Sequence, residues 1–409
     1  MGCQANIDQC NQQCGYHDDC QVTCDAGVRE CIQNGRLKNG EFSCNASKKC
    51  VQKCRGGPCS LSCGNTKDCT QSGERRGQFS LSCSAGVEKC TQTCDDTCSL
   101  SCDAKSCSQT CDDGSFTATC GAKVDVCSQS CDYGKNGTFS CDAAEKCTQS
   151  CKGKCSLSCD NTKDCTQFGH KGNFSMTCNA DVDKCTQTCD HPCSLSCDAK
   201  NCTQTCDDGN CTATCSAGVD VCSQSGDDGT GRNGKFSCDA SQKCTQSCRG
   251  VCSLSCNNTK DCTQFGHKGD FSMACSSDVD KCTQTCDDTC SLSCDSKNCS
   301  QTCDDGSCTT TCSARVENCS QTCDANCVLS CNAKNCNQVC NKGGCSFECG
   351  SGVQNCTQTC IKGVCSTRNP TSTTTHRPTR NPGWCLSKGY GILRIAPFLA
   401  NLFNFLERL

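Results

Sequence analysis

The segment Cys90–Cys111, CTQTCDDTCSLSCDAKSCSQTC, places a cysteine at every fourth or fifth residue and a serine or threonine on either side of one central residue. Two five-residue words alternate in it. One has an apolar centre, as in Cys98-Ser-Leu-Ser-Cys102; the other is centred on glutamine, as in Cys90-Thr-Gln-Thr-Cys94. Both alternate with period two, which is the pattern of a short strand. Positions 1, 3 and 5 point inward and the Ser/Thr pair at 2 and 4 points outward. The joints (CDDG, NNTKD, GRNG) carry the Asp, Asn and Gly of turns.

These words fill most of the chain. Apolar-centred words begin at eighteen places from residue 20 to residue 345, about 19 residues apart, with glutamine words between them. A fixed period near 20 without a helical apolar stripe is the signature of a solenoid. The expected fold is therefore all-β: a narrow, disulfide-stapled β-solenoid of about 18 coils, two short strands per coil, stacked in parallel at about 4.8 Å. A longer repeat lies over this one. The stretch from Cys98 recurs near Cys193 and Cys290, which marks five-coil blocks of about 95 residues. The solenoid should occupy residues 1–366. A Thr/Pro-rich disordered stalk follows at 367–383, then a short hydrophobic segment at 384–409.

Composition requires the staples. The 409 residues include 65 cysteines, only 4% aromatics and a net charge of -4. Leu, Ile, Val and Phe are too sparse for one large core, so cystine must replace it. No basic field draws the chain to nucleic acid. Thiolate metal sites use C-x-C or C-x-x-C pairs, and neither spacing occurs. A metal or cofactor role for the repeats is not expected.

The internal repeats indicate which cysteines pair. Where a glutamine word ends in glycine (Gly35, Gly73, Gly169, Gly226, Gly266), the next apolar word has also lost its first cysteine. Partners lost together are partners bonded, which gives Cys94–Cys98, Cys189–Cys193 and Cys286–Cys290. The other joint is never broken and gives Cys102–Cys107, Cys197–Cys202 and Cys294–Cys299. Cys3 and Cys10 fit that spacing, which suggests a chain beginning inside a coil. Cys111 and Cys131 each face a word without a first cysteine, and are expected to pair with each other across adjacent coils. Cys385 is left over, a candidate for an intermolecular bond. Cysteine at this density belongs in an oxidising compartment, although no signal peptide is visible.

The outward Ser/Thr ranks are the sharpest surface feature. Stacked T-x-T strands are made by Thr91 and Thr93, Thr186 and Thr188, Thr203 and Thr205, Thr212 and Thr214, Thr283 and Thr285, and Thr309 and Thr311. All twelve are expected to stand on the surface as binding ranks. In strand motif and disulfide-stapled construction they resemble the insect antifreeze proteins, whose regular threonine rows bind ice. The resemblance implies an ice-binding face. The coils here are longer, less uniform and often Ser-x-Ser. Aspartates after strand-end cysteines (Asp95, Asp112, Asp190, Asp207, Asp287, Asp304) suggest turn caps or a ridge for Ca²⁺ or mineral. Sequons at Asn45, Asn136, Asn173 and Asn257 are candidate glycosylation sites. The histidines are isolated and no nucleophile elbow or phosphate loop is present, so an enzyme is not expected. The tail at 384–409 is too short and polar for a clear membrane span, which leaves membrane attachment open. Together these features suggest a secreted structural or adhesive glycoprotein of a matrix, coat or cell surface. Its partner would be an extracellular protein, glycan or mineral.

Overall fold

The computed structural model describes residues 2–3, 6–15, 19–36, 39–227 and 233–368. Its regular elements are all β-strands, from β1 (Gly2–Cys3) to β36 (Ser366–Arg368). Each strand pairs in parallel with the strand one coil before and one coil after. The glutamine strand β10 (Lys89–Cys94) lies between β8 (Asp68–Glu74) and β12 (Ser106–Cys120); the apolar-centred β11 (Thr97–Cys102) lies between β9 (Gln78–Cys83) and β12. The result is a parallel β-solenoid of nineteen turns, one more than the apolar words alone suggest, because the segment from Gly2 to Cys14 contributes a first coil. At about 4.8 Å per coil the stack is roughly 85 Å long. Strand pairing continues to Arg368, two residues beyond the expected edge of the repeats. The candidate stalk and tail, with Cys385, otherwise lie outside the described residues.

Three columns run through the interior. In the middle stand nineteen glutamines, Gln12 to Gln358. The Nε2 of each donates to the Oε1 of the glutamine one coil earlier, at 2.8–3.0 Å through all eighteen steps. The second N–H reaches across the coil to a backbone carbonyl of the facing strand, as from Gln92 to Ser101 O at 3.1 Å and from Gln187 to Ser196 O at 3.1 Å. From Gln12 to Gln338 the amides are buried yet hydrogen-bonded as both donor and acceptor.

On one flank of the ladder is a column of cystines with Val and Ala from the turns, such as Val87, Ala104 and Val124. On the other flank the word centres (Leu100, Phe139, Met176, Leu195) pack with the remaining cystines. Among the described residues thirty-one disulfides link cysteines four to seven apart. They include Cys94–Cys98, Cys102–Cys107, Cys189–Cys193, Cys197–Cys202, Cys286–Cys290 and Cys294–Cys299, together with Cys3–Cys10. Each closes a short loop; in the loop-entropy account this contributes about 2 kcal/mol per bridge.

The structure departs from the expected staples at one place. Cys111 and Cys131 are free thiols. They occupy paired positions on adjacent parallel strands, where side chains leave the sheet in the same direction and stand side by side. The two coils also depart from the two-strand plan. Here β12 and β13 (Val126–Cys141), like β14 (Lys146–Cys159), run around the corner as single long strands, because the corner residues pair with one another, as in Asp113↔Tyr133 and Gly134↔Gly153.

Where a cystine is missing elsewhere, an aromatic ring replaces it. A Cβ on Gly169 would lie 2.5 Å from the Phe174 ring, and one on Gly266 would lie 2.6 Å from Phe271. The ring fills the volume of the lost bridge and needs a residue without a side chain opposite. The paired losses in the sequence thus have a steric cause as well as a covalent one. Register is also written in charge. The residues before the glutamine words alternate in sign along the stack, as Glu30–Lys49–Asp68–Lys89 and Lys146–Asp164–Lys184.

Gly169→Ala should destabilise its coil by about 1–3 kcal/mol through overpacking against Phe174, whereas the double substitution G169C/F174C should install a bridge and reverse the loss. Hydrogen exchange in the strand Asp164–His170 reports both. Gln187→Leu strands the acceptor of Gln167 and the donor of Gln204. It should cost about 2–6 kcal/mol, at 1–3 kcal/mol for each of the two buried unsatisfied groups, with faster exchange confined to the neighbouring coils.

Candidate functional site: the hydroxyl ranks

With the interior filled by glutamine, cystine and word centres, positions 2 and 4 of every strand lie on the outer side of the sheets. The T-x-T pairs sit where the alternation places them. Thr91 and Thr93 flank buried Gln92. Thr186 and Thr188 flank Gln187, Thr203 and Thr205 flank Gln204, and Thr283 and Thr285 flank Gln284. Thr212 and Thr214, like Thr309 and Thr311, lie on the opposite sheet. The site residues are therefore split between two faces. On the glutamine face, Thr186 is the register partner of Thr203 and Thr188 that of Thr205. Thr91 and Thr93 stand beside Ser108 and Thr110.

None of the twelve threonines is buried, but they are not equally open to solvent. Thr203, Thr212 and Thr309, all at position 2, are exposed. Every position-4 threonine of the set is half-buried: Thr93, Thr188, Thr205, Thr214, Thr285 and Thr311. Thr91, Thr186 and Thr283 are half-buried as well. The cause is the close stacking of coils, about 4.8 Å apart, which sets each side chain against those of the coils on either side. A position-4 hydroxyl can also fold back on the scaffold. Thr93 Oγ1 donates to Gln71 O of the preceding coil at 3.4 Å, and Thr205 Oγ1 accepts from Ser225 Oγ of the next at 3.2 Å.

The longest regular array includes serines. On the apolar-word face, nine consecutive coils carry two hydroxyls each, from Ser60 and Ser62 to Thr212 and Thr214, in register throughout. Neighbours stand about 4.8 Å apart along the stack and about 6.6 Å apart along a strand. Here too position 2 is the more open rank. Several position-4 hydroxyls donate to a carbonyl of the preceding coil: Ser82 to Leu61 O at 3.4 Å, Thr119 to Leu100 O at 3.2 Å, Ser158 to Phe139 O at 3.4 Å. The inner rank thus spends part of its hydrogen-bonding capacity on the scaffold, and the outer rank faces water. The sequence reading placed Ser/Thr ranks outside but named only threonines as site residues; the signal of this block is the unbroken run of hydroxyl pairs regardless of type.

The glutamine face is interrupted twice by the same residue, Phe168 and Phe265, one block apart. Each begins a Phe-Gly-His-Lys corner closed from the next coil. Asp190 Oδ1 accepts the Lys171 N–H at 2.9 Å and Asp287 Oδ1 accepts the Lys268 N–H at 2.7 Å, where Lys171 and Lys268 hold positive φ. His170 pairs with Asp190 and His267 with Asp287. Asp95 takes the Arg75 N–H in the same way, at 3.0 Å. These three aspartates cap left-handed corners.

Asp207 and Asp304 have no such donor among the described residues. Desolvation first, and then repulsion from Asp190 and Asp227, raises the pKa of Asp207; desolvation, followed by Asp324, Asp305 and Asp287, raises that of Asp304. Asp324 is held low instead, by hydrogen bonds from Asn341 and Lys342. Asp112 lies beside Asp113 at the corner that carries Cys111. There the thiols hydrogen-bond, which raises the Cys111 pKa and lowers that of Cys131.

Sulfurs also gather between coils, as at Cys189, Cys193, Cys206 and Cys211. All four are bridged, as Cys189–Cys193 and Cys206–Cys211, and so offer no thiolate to a metal. Of the sequons, Asn136 and Asn173 are exposed, and Asn45 and Asn257 are half-buried. Comparison with protein-family models, curated proteins and solved structures finds no match.

A raised carboxylate pKa means that ionisation costs stability above the folded pKa and nothing below the unfolded one. Asp207→Asn should therefore slow amide exchange in the flanking strands Asn201–Cys206 and Val221–Asp227 at pH 7, and the advantage should vanish by about pH 3, below the ordinary aspartate value.

Proposed function

We propose that the chain is a non-enzymatic extracellular rod, structural or adhesive in role, that presents Ser/Thr and Asp ranks to a matrix protein, glycan or mineral surface. The observation that carries this reading is the unbroken interior. Nineteen amide rungs and thirty-one cystines hold one cross-section along the whole stack, and the outward positions repeat one chemistry. Such a construction resists proteolysis and keeps spacing constant, which is what a matrix or coat component requires. The many disulfides are consistent with an oxidising, extracellular setting.

A second reading is favoured by the nine-coil hydroxyl block. A two-rank array held in register is the kind of surface that orders water, and an ice-binding role would use it, through the open position-2 rank above all. The aspartate column supports a third, Ca²⁺ or mineral binding; the corner bonds of Asp95, Asp190 and Asp287 already employ three of its carboxylates.

One set of measurements separates the three. The purified full chain, incubated with trypsin with and without reductant, should survive for hours when oxidised and be cleaved within minutes when reduced. Prompt cleavage of the oxidised chain would overturn the rod. Thermal hysteresis at micromolar protein, abolished by Thr117→Tyr, would transfer the function to ice. Saturable Ca²⁺ binding lost in Asp207→Asn would transfer it to the aspartate column.

A further inference from the structure

Cys111 and Cys131 stand apart from every other described cysteine. Both are free and buried, with 1% and 3% of their surface exposed. They are register partners on adjacent coils. The places where their bridge partners would stand are taken by Phe116 and Gly137. The Phe116 ring packs 4.7 Å from Phe139, and a Cβ on Gly137 would come within 2.1 Å of it. That packing leaves the two thiols as neighbours in successive coils, each without a bridge partner in its own coil. Above and below, the same column is closed by cystine: Cys111 Sγ lies 4.0 Å from Cys98 Sγ of the Cys94–Cys98 bridge, and Cys131 is the register partner of Cys151, bridged to Cys155. The surroundings are sulfur, the Phe116 ring and two backbone carbonyls, Asp113 O at 3.5 Å and Asp96 O at 3.9 Å from Cys111 Sγ.

We propose that Cys111 and Cys131 form a site for one soft monovalent metal ion, Cu(I) or Ag(I), held between two thiolates. Two register-paired positions in a parallel sheet are about 4.8 Å apart. Two metal–thiolate bonds in line, each about as long as the 2.3 Å of a zinc thiolate, span about 4.6 Å. The strand spacing suits a two-coordinate ion: the neighbouring sulfurs are bound to each other, and the other donors beside Cys111 Sγ are the carbonyl oxygens of Asp113 and Asp96, at 3.5 and 3.9 Å. Thiolates select soft ions of this class. Binding is balanced: two S–H bonds give up two protons, two metal–sulfur bonds form, and the pocket holds a complex of charge minus one. No oxidant or reductant takes part. The corner from Asp112 to Ser115, which no disulfide closes, is the route of entry.

The test uses the full chain carrying Cys385→Ser, which removes the one cysteine outside the described residues. Under anaerobic conditions, Cu(I) is delivered from a chromophoric chelator. The expected result is one Cu(I) per chain with thiolate-to-copper absorption in the ultraviolet, and at least a tenfold loss of retained copper in Cys111→Ser and Cys131→Ser. On the unsubstituted pair, one equivalent of Cu(I) should block alkylation of both thiols in peptide mapping, a readout that does not depend on how the serine variants fold. Failure to retain copper against the chelator, equal retention in the serine variants, or a mapped Cys111–Cys131 bridge would each overturn the proposal.

Discussion

The hydrogen bond from each glutamine Nε2 to the glutamine Oε1 one coil earlier is the constraint on which the fold rests. A primary amide in a dry interior needs partners for two donors and an acceptor. Here those partners exist only if the next coil places its own glutamine one strand spacing away and the facing strand turns a carbonyl inward. Register, coil cross-section and sheet separation are therefore fixed together. A one-residue slip would turn each glutamine outward and each threonine in. The ladder explains why coil lengths can vary in the corners while the strand words do not: insertions are absorbed outside the rungs.

The cystines work differently. They do not specify which coil lies next to which, since all thirty-one close loops within a short stretch of chain. They stiffen corners and supply volume that Leu and Phe would supply in a conventional core. Phe174 opposite Gly169 shows that volume is the shared requirement, because a ring and a bridge are interchangeable there. With packing and register both settled inside, the outward positions are free to repeat a single chemistry.

Much of this was legible in the sequence because its periodicity is nearly perfect. The two-residue alternation of Cys90-Thr-Gln-Thr-Cys94 assigns inside and outside without ambiguity, and the paired losses at Gly169 and Phe174 relate residues that no propensity scale connects. Three things were not legible. The state of Cys111 and Cys131 depends on the side-chain arrangement in two adjacent coils, and spacing carries no information about that. The long strands through the corners at 106–159 arise from pairing between turns of different coils, which single words cannot reveal. The unequal hydroxyl ranks, with Thr188 or Thr214 half-buried where alternation alone puts them in the open, depend on contacts with coils about twenty residues distant in sequence.

The eighteen ladder bonds all point the same way, with every donor aimed toward Gln12 and every acceptor toward Gln358. Amide dipoles aligned head to tail add, as they do along a helix. The rod is thus electrically polar along its axis although its formal charges are mixed, with a donor-rich end and an acceptor-rich end. It is a vector and not merely a spacer. Two copies side by side are disposed by their dipoles to lie antiparallel, and copies end to end can continue the amide row only in one sense. A partner that reads several coils at once meets a different surface according to the direction in which it lies down.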